Sequence, residues 1–245
     1  MKILKTLLAI GAIALTGGFL LSTNTNDKED ENEQKREEVK EIIENADETT
    51  REFIDVLLNK EEKSEVCYWN VKSDDGSIDY TLVKAYDKDG KIVIDGSYKD
   101  SRGYIFIKNG GESYSLNLEK NIYIKNNVDN FNADQSAGQN SLSYKEKCIY
   151  DALAIEECFK GKREEILEKT DYGFKKTIKD DLNYGYYLYD ENGDLFETYL
   201  ENSEGNITTK LIDKSNDIEG IYNQFYSLME NMQEAEDFAA VKEDH

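Results

Sequence analysis

Proline is absent from this chain of 245 residues, where average usage near 5% would give about a dozen. Its tight turns therefore rest on Gly, Asn and Asp. Histidine is confined to the terminal His245, which removes Ser-His and Cys-His nucleophile schemes from the body of the chain and leaves zinc without imidazole ligands. Cysteine occurs three times, at Cys67, Cys148 and Cys158, with no C-x-x-C. Cys148 and Cys158 fall in one expected helix, where ten residues span about 15 Å, too far for a disulfide. A bridge from Cys67 to either one, or three small buried hydrophobes, both remain open. Basic residues are few: 30 against 52 acidic ones leave a net charge of -22. That balance repels nucleic acid and anionic headgroups and gives a soluble, self-repelling surface. It also makes pairs of carboxylates uninformative as catalysts, so the expected protein is not an enzyme and no cofactor is called for.

Long apolar runs are missing too, apart from the first 22 residues. Lys2 and Lys5 precede a mostly apolar stretch from Thr6 to Leu21, the charged-then-apolar layout of an export signal. That stretch is short for a hydrocarbon core of about 30 Å. Residues 1–22 are thus a cleaved signal peptide or a retained N-terminal anchor, and the folded part is extracytoplasmic, touching membrane only through this segment. The run resembles a bacterial lipoprotein signal, but Leu15-Thr16-Gly17 is followed by Gly18 where a lipid-bearing cysteine would stand. Residues 23–34, charge-dense, read as a disordered tether, and 35–245 as a single α+β domain.

What is present is aromatic and periodic: 17 Tyr, 9 Phe and a single Trp. From Gln34 to Lys60, Val39, Ile42, Ile43, Phe53, Ile54 and Leu57 recur at helical spacing. The period then switches to two in "VCYWNVK", "IDYTLVKAYD", "KIVIDGSYK", "GYIFIKN", "ESYSLNL" and "NIYIK", separated by "SDDG", "DKDG", "DSRG", "NGG" and "EKN". These are strands of a meander joined by hairpin turns, since Asn, Asp and Gly accept positive φ. "DKDG" and "DENGD" place Gly at the fourth position, which suits a turn and not an EF-hand loop. A loop is expected at 127–140, a second helix over 142–169 with a break at Gly161, four further strands, and a last helix through Ile218, Ile221, Tyr222 and Phe225.

The strands do not all alternate cleanly. Tyr104 and Phe106 lie on one side of their strand with Ile105 and Ile107 on the other, so both sheet faces are partly covered. A leader of lipoprotein type, a charged tether, an amphipathic helix and Tyr-rich hairpins such as "AYDKDGKIVIDGSYKDSRGYIFIKNGGESYSLNLEKNIYIKNN" resemble the half-barrel lipoproteins and lipoprotein carriers of the LolA and LppX type. The resemblance is one of layout and implies a strongly curved antiparallel sheet, a half-barrel, packed on amphipathic helices, with an apolar cavity for a lipid or other hydrophobic ligand. The lining expected on the inner face is Trp69, Tyr80, Tyr98, Tyr104, Phe106 and Tyr114. The alternative is a secreted or membrane-tethered protein-interaction module, whose acidic exterior attracts a basic partner.

Overall fold

The structure is a computed structural model that describes residues 26–127, 142–154 and 163–236. The leader over 1–22, the expected loop beyond Asn127, Cys158, the break at Gly161 and His245 lie outside the described residues.

Two helices stand where one was expected over 34–60. Helix α1 spans Asn26–Glu44, starting inside the stretch expected as a tether, and α2 spans Glu48–Leu58. The interruption is made by Asp47, whose carboxylate accepts a hydrogen bond from the Thr50 N–H at 2.8 Å and caps α2. Six strands follow: β1 (Glu65–Lys72), β2 (Asp79–Tyr86), β3 (Ile92–Lys99), β4 (Arg102–Asn109), β5 (Glu112–Asn117) and β6 (Ile122–Asn127). Their turns use the residues expected of them. Asp87 accepts through Oδ1 from the N–H groups of Asp89 and Lys91, and Asp190 does the same for Asn192 and Asp194.

The helix expected over 142–169 is corrected to a shorter one, α3 (Tyr144–Leu153), followed by strand β7 (Glu164–Thr170). A capping box starts α3: the Ser143 hydroxyl accepts from the Glu146 N–H, and the Glu146 carboxylate accepts from the Ser143 N–H. Strands β8 (Gly173–Lys179), β9 (Tyr184–Asp190), β10 (Leu195–Asn202) and β11 (Gly205–Ser215) form the second hairpin series. Helix α4 (Ile218–Met229) and a two-residue strand β12 (Gln233–Glu234) complete the described elements.

The strands belong to one sheet in the order β12-β6-β5-β4-β3-β2-β1-β11-β10-β9-β8-β7. The hairpin neighbours pair antiparallel, and β12 pairs parallel to β6. The class is α+β, and the order is open, with β12 at one end and β7 at the other.

The described residues gather into two compact units, each drawn from three separate chain segments. The first takes the described residues of Met1–Glu61, Val71–Ile78 and Gly138–Leu211. In its core, Phe53 and Leu57 of α2 and Ile149 of α3 meet Phe174, Ile178 and Tyr189 of β8 and β9. The Phe53 ring centroid lies 4.6 Å from that of Phe174 and 4.9 Å from that of Tyr189. The second unit takes the described residues of Glu62–Asn70, Asp79–Ala137 and Ile212–His245. Its core joins Val83, Ile94, Ile107 and Leu116 to Ile221 and Phe225 of α4. Full burial of each such side chain is worth about 1.5–3 kcal/mol, which is why short strands and a three-turn helix hold together.

Candidate functional site

Alternate side chains of a strand point to opposite faces, so the registers sort the residues of β2 to β6. Ile94 stands opposite Ile107, Gly96 opposite Ile105, Ile105 opposite Leu116 and Ile107 opposite Tyr114. These face α4. Gly96 permits the close approach there, since a Cβ at that position would lie 2.9 Å from Cγ1 of Ile105.

The opposite face reads across the sheet in two rows. One runs Lys84, Asp95, Phe106, Ser115, Ile124; the next runs Leu82, Ser97, Tyr104, Asn117, Ile122. Trp69 belongs to this face too. Its neighbour Tyr68 points to α4, donating its hydroxyl hydrogen to Oε1 of Gln224 at 3.4 Å, and Val66 lies in the α4 core. Trp69, Leu82 and Ile122 are buried, Phe106 and Tyr80 are half-buried, and Tyr104 is 58% exposed. Burial pushes the Tyr80 phenol above its ordinary pKa. The Asn117 amide donates to the Tyr104 hydroxyl at 3.3 Å, tying the exposed ring to a buried side chain.

The six residues expected to share one lining are therefore divided. Trp69, Tyr80, Tyr104 and Phe106 occupy the face away from α4, while Tyr98 and Tyr114 occupy the α4 face. Tyr114 is integral to that packing. Its hydroxyl donates to Glu112 at 2.6 Å, its ring meets Tyr226 edge-on at 5.8 Å, and the Lys125 ammonium lies 5.7 Å from its centroid. Hydrogen bonding to the Glu112 carboxylate raises the Tyr114 pKa, and that carboxyl is held low by Lys125.

Sequence reasoning passed over Lys84, which is 1% exposed and directly opposite Asp95 in the β2–β3 register. The signal was its parity: in "LVKAYD" it shares a strand face with Leu82. Polar Ser113 and Asn117 are buried on the same face, so this surface combines aromatic area with a few sequestered polar groups.

A second feature that sequence reasoning missed lies in the first unit. There α2 and α3 cover one sheet face, and the other presents Tyr184, Tyr186 and Tyr199. Tyr186 and Tyr199 stand opposite each other in register and stack at 5.3 Å with planes 12° apart. The Tyr186 hydroxyl donates to Glu197 at 2.7 Å, Glu197 also meets Lys210 at 3.0 Å, and Lys175 sits 5.6 Å from the Tyr186 centroid. Burial first, then the Glu197 carboxylate, drive the Tyr186 pKa well upward. Among the described residues, no group of three or more His, Cys, Asp or Glu side chains is arranged to hold a metal ion.

No family model matches the chain, and no curated protein matches it. Among solved structures, an uncharacterized conserved protein from Thermus thermophilus is similar at TM-score 0.41 and 7% identity, covering 77% of this chain and 99% of its own. A DUF1329 family protein from Desulfovibrio piger follows at TM-score 0.25 and 11% identity, covering 69% and 93%. A putative outer membrane lipoprotein-sorting protein domain from Vibrio parahaemolyticus stands at TM-score 0.23 and 10% identity, covering 74% and 97%. At such scores and identities these likenesses carry no argument about activity.

Proposed function

We propose that this chain is an extracytoplasmic, non-enzymatic protein that binds or carries a lipid or other hydrophobic molecule, in the manner of the half-barrel carriers it resembles in layout. The ligand lies against the face of the second unit's sheet turned away from α4. The observation that supports this most is that the same strands bear apolar and aromatic side chains on both faces. One set packs on α4, while the other holds Trp69 and Leu82, both buried, with Phe106 half-buried and Tyr104 58% exposed. Burying an acyl chain yields about 0.8 kcal/mol per methylene, so roughly ten methylenes supply about 8 kcal/mol, the scale of a micromolar affinity. Such a surface therefore needs no dedicated chemistry to hold its ligand. The charged-then-apolar leader supports export, and no helix among the described residues is long and apolar enough to cross a membrane.

Trp69, the single tryptophan, is the natural reporter. The full-length chain is purified and its extract analysed by mass spectrometry, and Trp69 emission is followed during titration with a brominated fatty acid. Lipid near one molecule per chain and saturable quenching are expected. An empty protein whose Trp69 is not quenched overturns the carrier reading.

A further inference from the structure

We propose that β7 is a self-pairing edge, through which two copies of this chain join antiparallel about a two-fold axis at Leu167. β7 ends the strand order, with β8 as its one neighbour there. The direction of its backbone groups follows from the next turn. The Asp180 N–H donates to the Asn183 carbonyl at 3.0 Å, so Asp180 and, in steps of two, Ile178, Lys176 and Phe174 turn their N–H and C=O toward β9. Lys179, Thr177, Lys175 and Gly173 turn theirs toward β7, opposite Glu164, Ile166, Glu168 and Thr170. Glu165, Leu167 and Lys169 are left directing N–H and C=O away from β8, at the rim of the sheet.

An exposed rim of this kind is a template for another strand, and its side chains choose the occupant. Two copies centred on Ile166 would set Glu164 against Glu168 twice. Centred on Glu168, they would set that carboxylate against its own copy. Centred on Leu167, they set Glu165 against Lys169 twice, Ile166 against Glu168, Glu164 against Thr170, and Leu167 against itself. This register also matches all three outward-facing residues with one another, which gives six backbone hydrogen bonds. Of these three registers, the one without like charges face to face is also the one with most hydrogen bonds, and a two-fold pair of this kind is self-complementary. Glu165 and Lys169 are exposed, as is Ile166 at 47%. Their present partners are Lys176 at 3.4 Å and Arg163 at 3.8 Å for Glu165, and Glu52 of α2 at 2.7 Å for Lys169, so new contacts extend existing networks.

The test is sedimentation velocity of the full-length chain over a concentration series, with circular dichroism confirming that each variant folds. A reversible dimer is expected, and K169E, which leaves four carboxylates facing across the axis, raises its dissociation constant about tenfold or more. L167C reads the register directly. Opposed residues of a hydrogen-bonded antiparallel pair have Cα atoms about 5.5 Å apart, within disulfide reach, so oxidation yields a covalent dimer whose bridge maps to position 167 in both copies. A chain that stays monomeric at every concentration overturns the proposal. So does a dimer whose dissociation constant K169E leaves unchanged, or one in which L167C forms no such bridge.

Discussion

Tyr222 shows how a single hydroxyl ties the two layers of the second unit together. It projects from α4 and donates to the carbonyl of Lys108 at the end of β4, at 2.7 Å. Burial, then the charges of Tyr226 and Asp87, push its pKa from 10.0 up to about 12. Tyr68 on β1 is raised to about 12 as well, again chiefly by burial. A raised pKa means that the folded protein keeps a proton the unfolded chain gives up. Stability from these two phenols is therefore complete below pH 10 and is lost as pH rises from about 10 to about 12. Urea unfolding followed across that window is expected to show the midpoint falling with pH. Tyr222→Phe is expected to flatten the fall and to remove about 1 kcal/mol at neutral pH through the lost hydrogen bond. At this scale the sequence was readable for turns, since Asp87 and Asp190 close their hairpins as their spacing implied. It was not readable for Lys84, because burial of a lysine depends on what lies across the sheet and not on its immediate neighbours.

At the scale of elements, the meander of six strands and the final helix are where periodicity placed them. The misjudged element is β7. Its sequence EEILEKT is rich in Glu and Lys, good helix formers, with Ile166 and Leu167 adjacent, a pattern that fits either period. Pairing with β8 decides the matter, as tertiary context overrides weak propensity. The end of α3 is held by β8 as well. The Lys176 ammonium, almost wholly buried, donates to the carbonyls of Ala152 at 3.2 Å and Ala154 at 3.0 Å, and the Tyr189 hydroxyl donates to Ala152 at 3.3 Å. A cation at a helix C-terminus answers both the orphan carbonyls and the helix dipole. Lys176→Met, which keeps the bulk but withdraws the donors, is expected to destabilise the protein by about 2–3 kcal/mol. Chemical denaturation measures the loss, and amide exchange over α3 should quicken more than exchange over α4.

For the molecule as a whole, the α+β class and the hairpin order were legible, but the distribution of candidate residues over sheet faces was not. Parity within one strand can be read from letters. Which parity of one strand joins which parity of the next depends on turn length and on bulges such as those near Tyr86 and Phe196. Hence Tyr98 and Tyr114, expected beside Trp69 on the inner face of a half-barrel, stand with α4 instead. This division makes the binding proposal separable from folding. Phe106→Asp alters the half-buried face away from α4 and is expected to weaken fatty-acid quenching of Trp69 at least about tenfold. Tyr98→Phe, on the other face, should leave it within about twofold. Titrations of the two variants beside the parent chain make the comparison.

The two margins of the sheet are not alike. At one, β12 is stitched alongside β6, with the Gln233 N–H bound to the Asn121 carbonyl and the Ala235 N–H bound to that of Tyr123. At the other, β7 ends the order of the described strands, with β8 beside it. A two-fold pair joined at β7 uses that border in both copies at once, so this contact closes on itself and does not run on into a fibre.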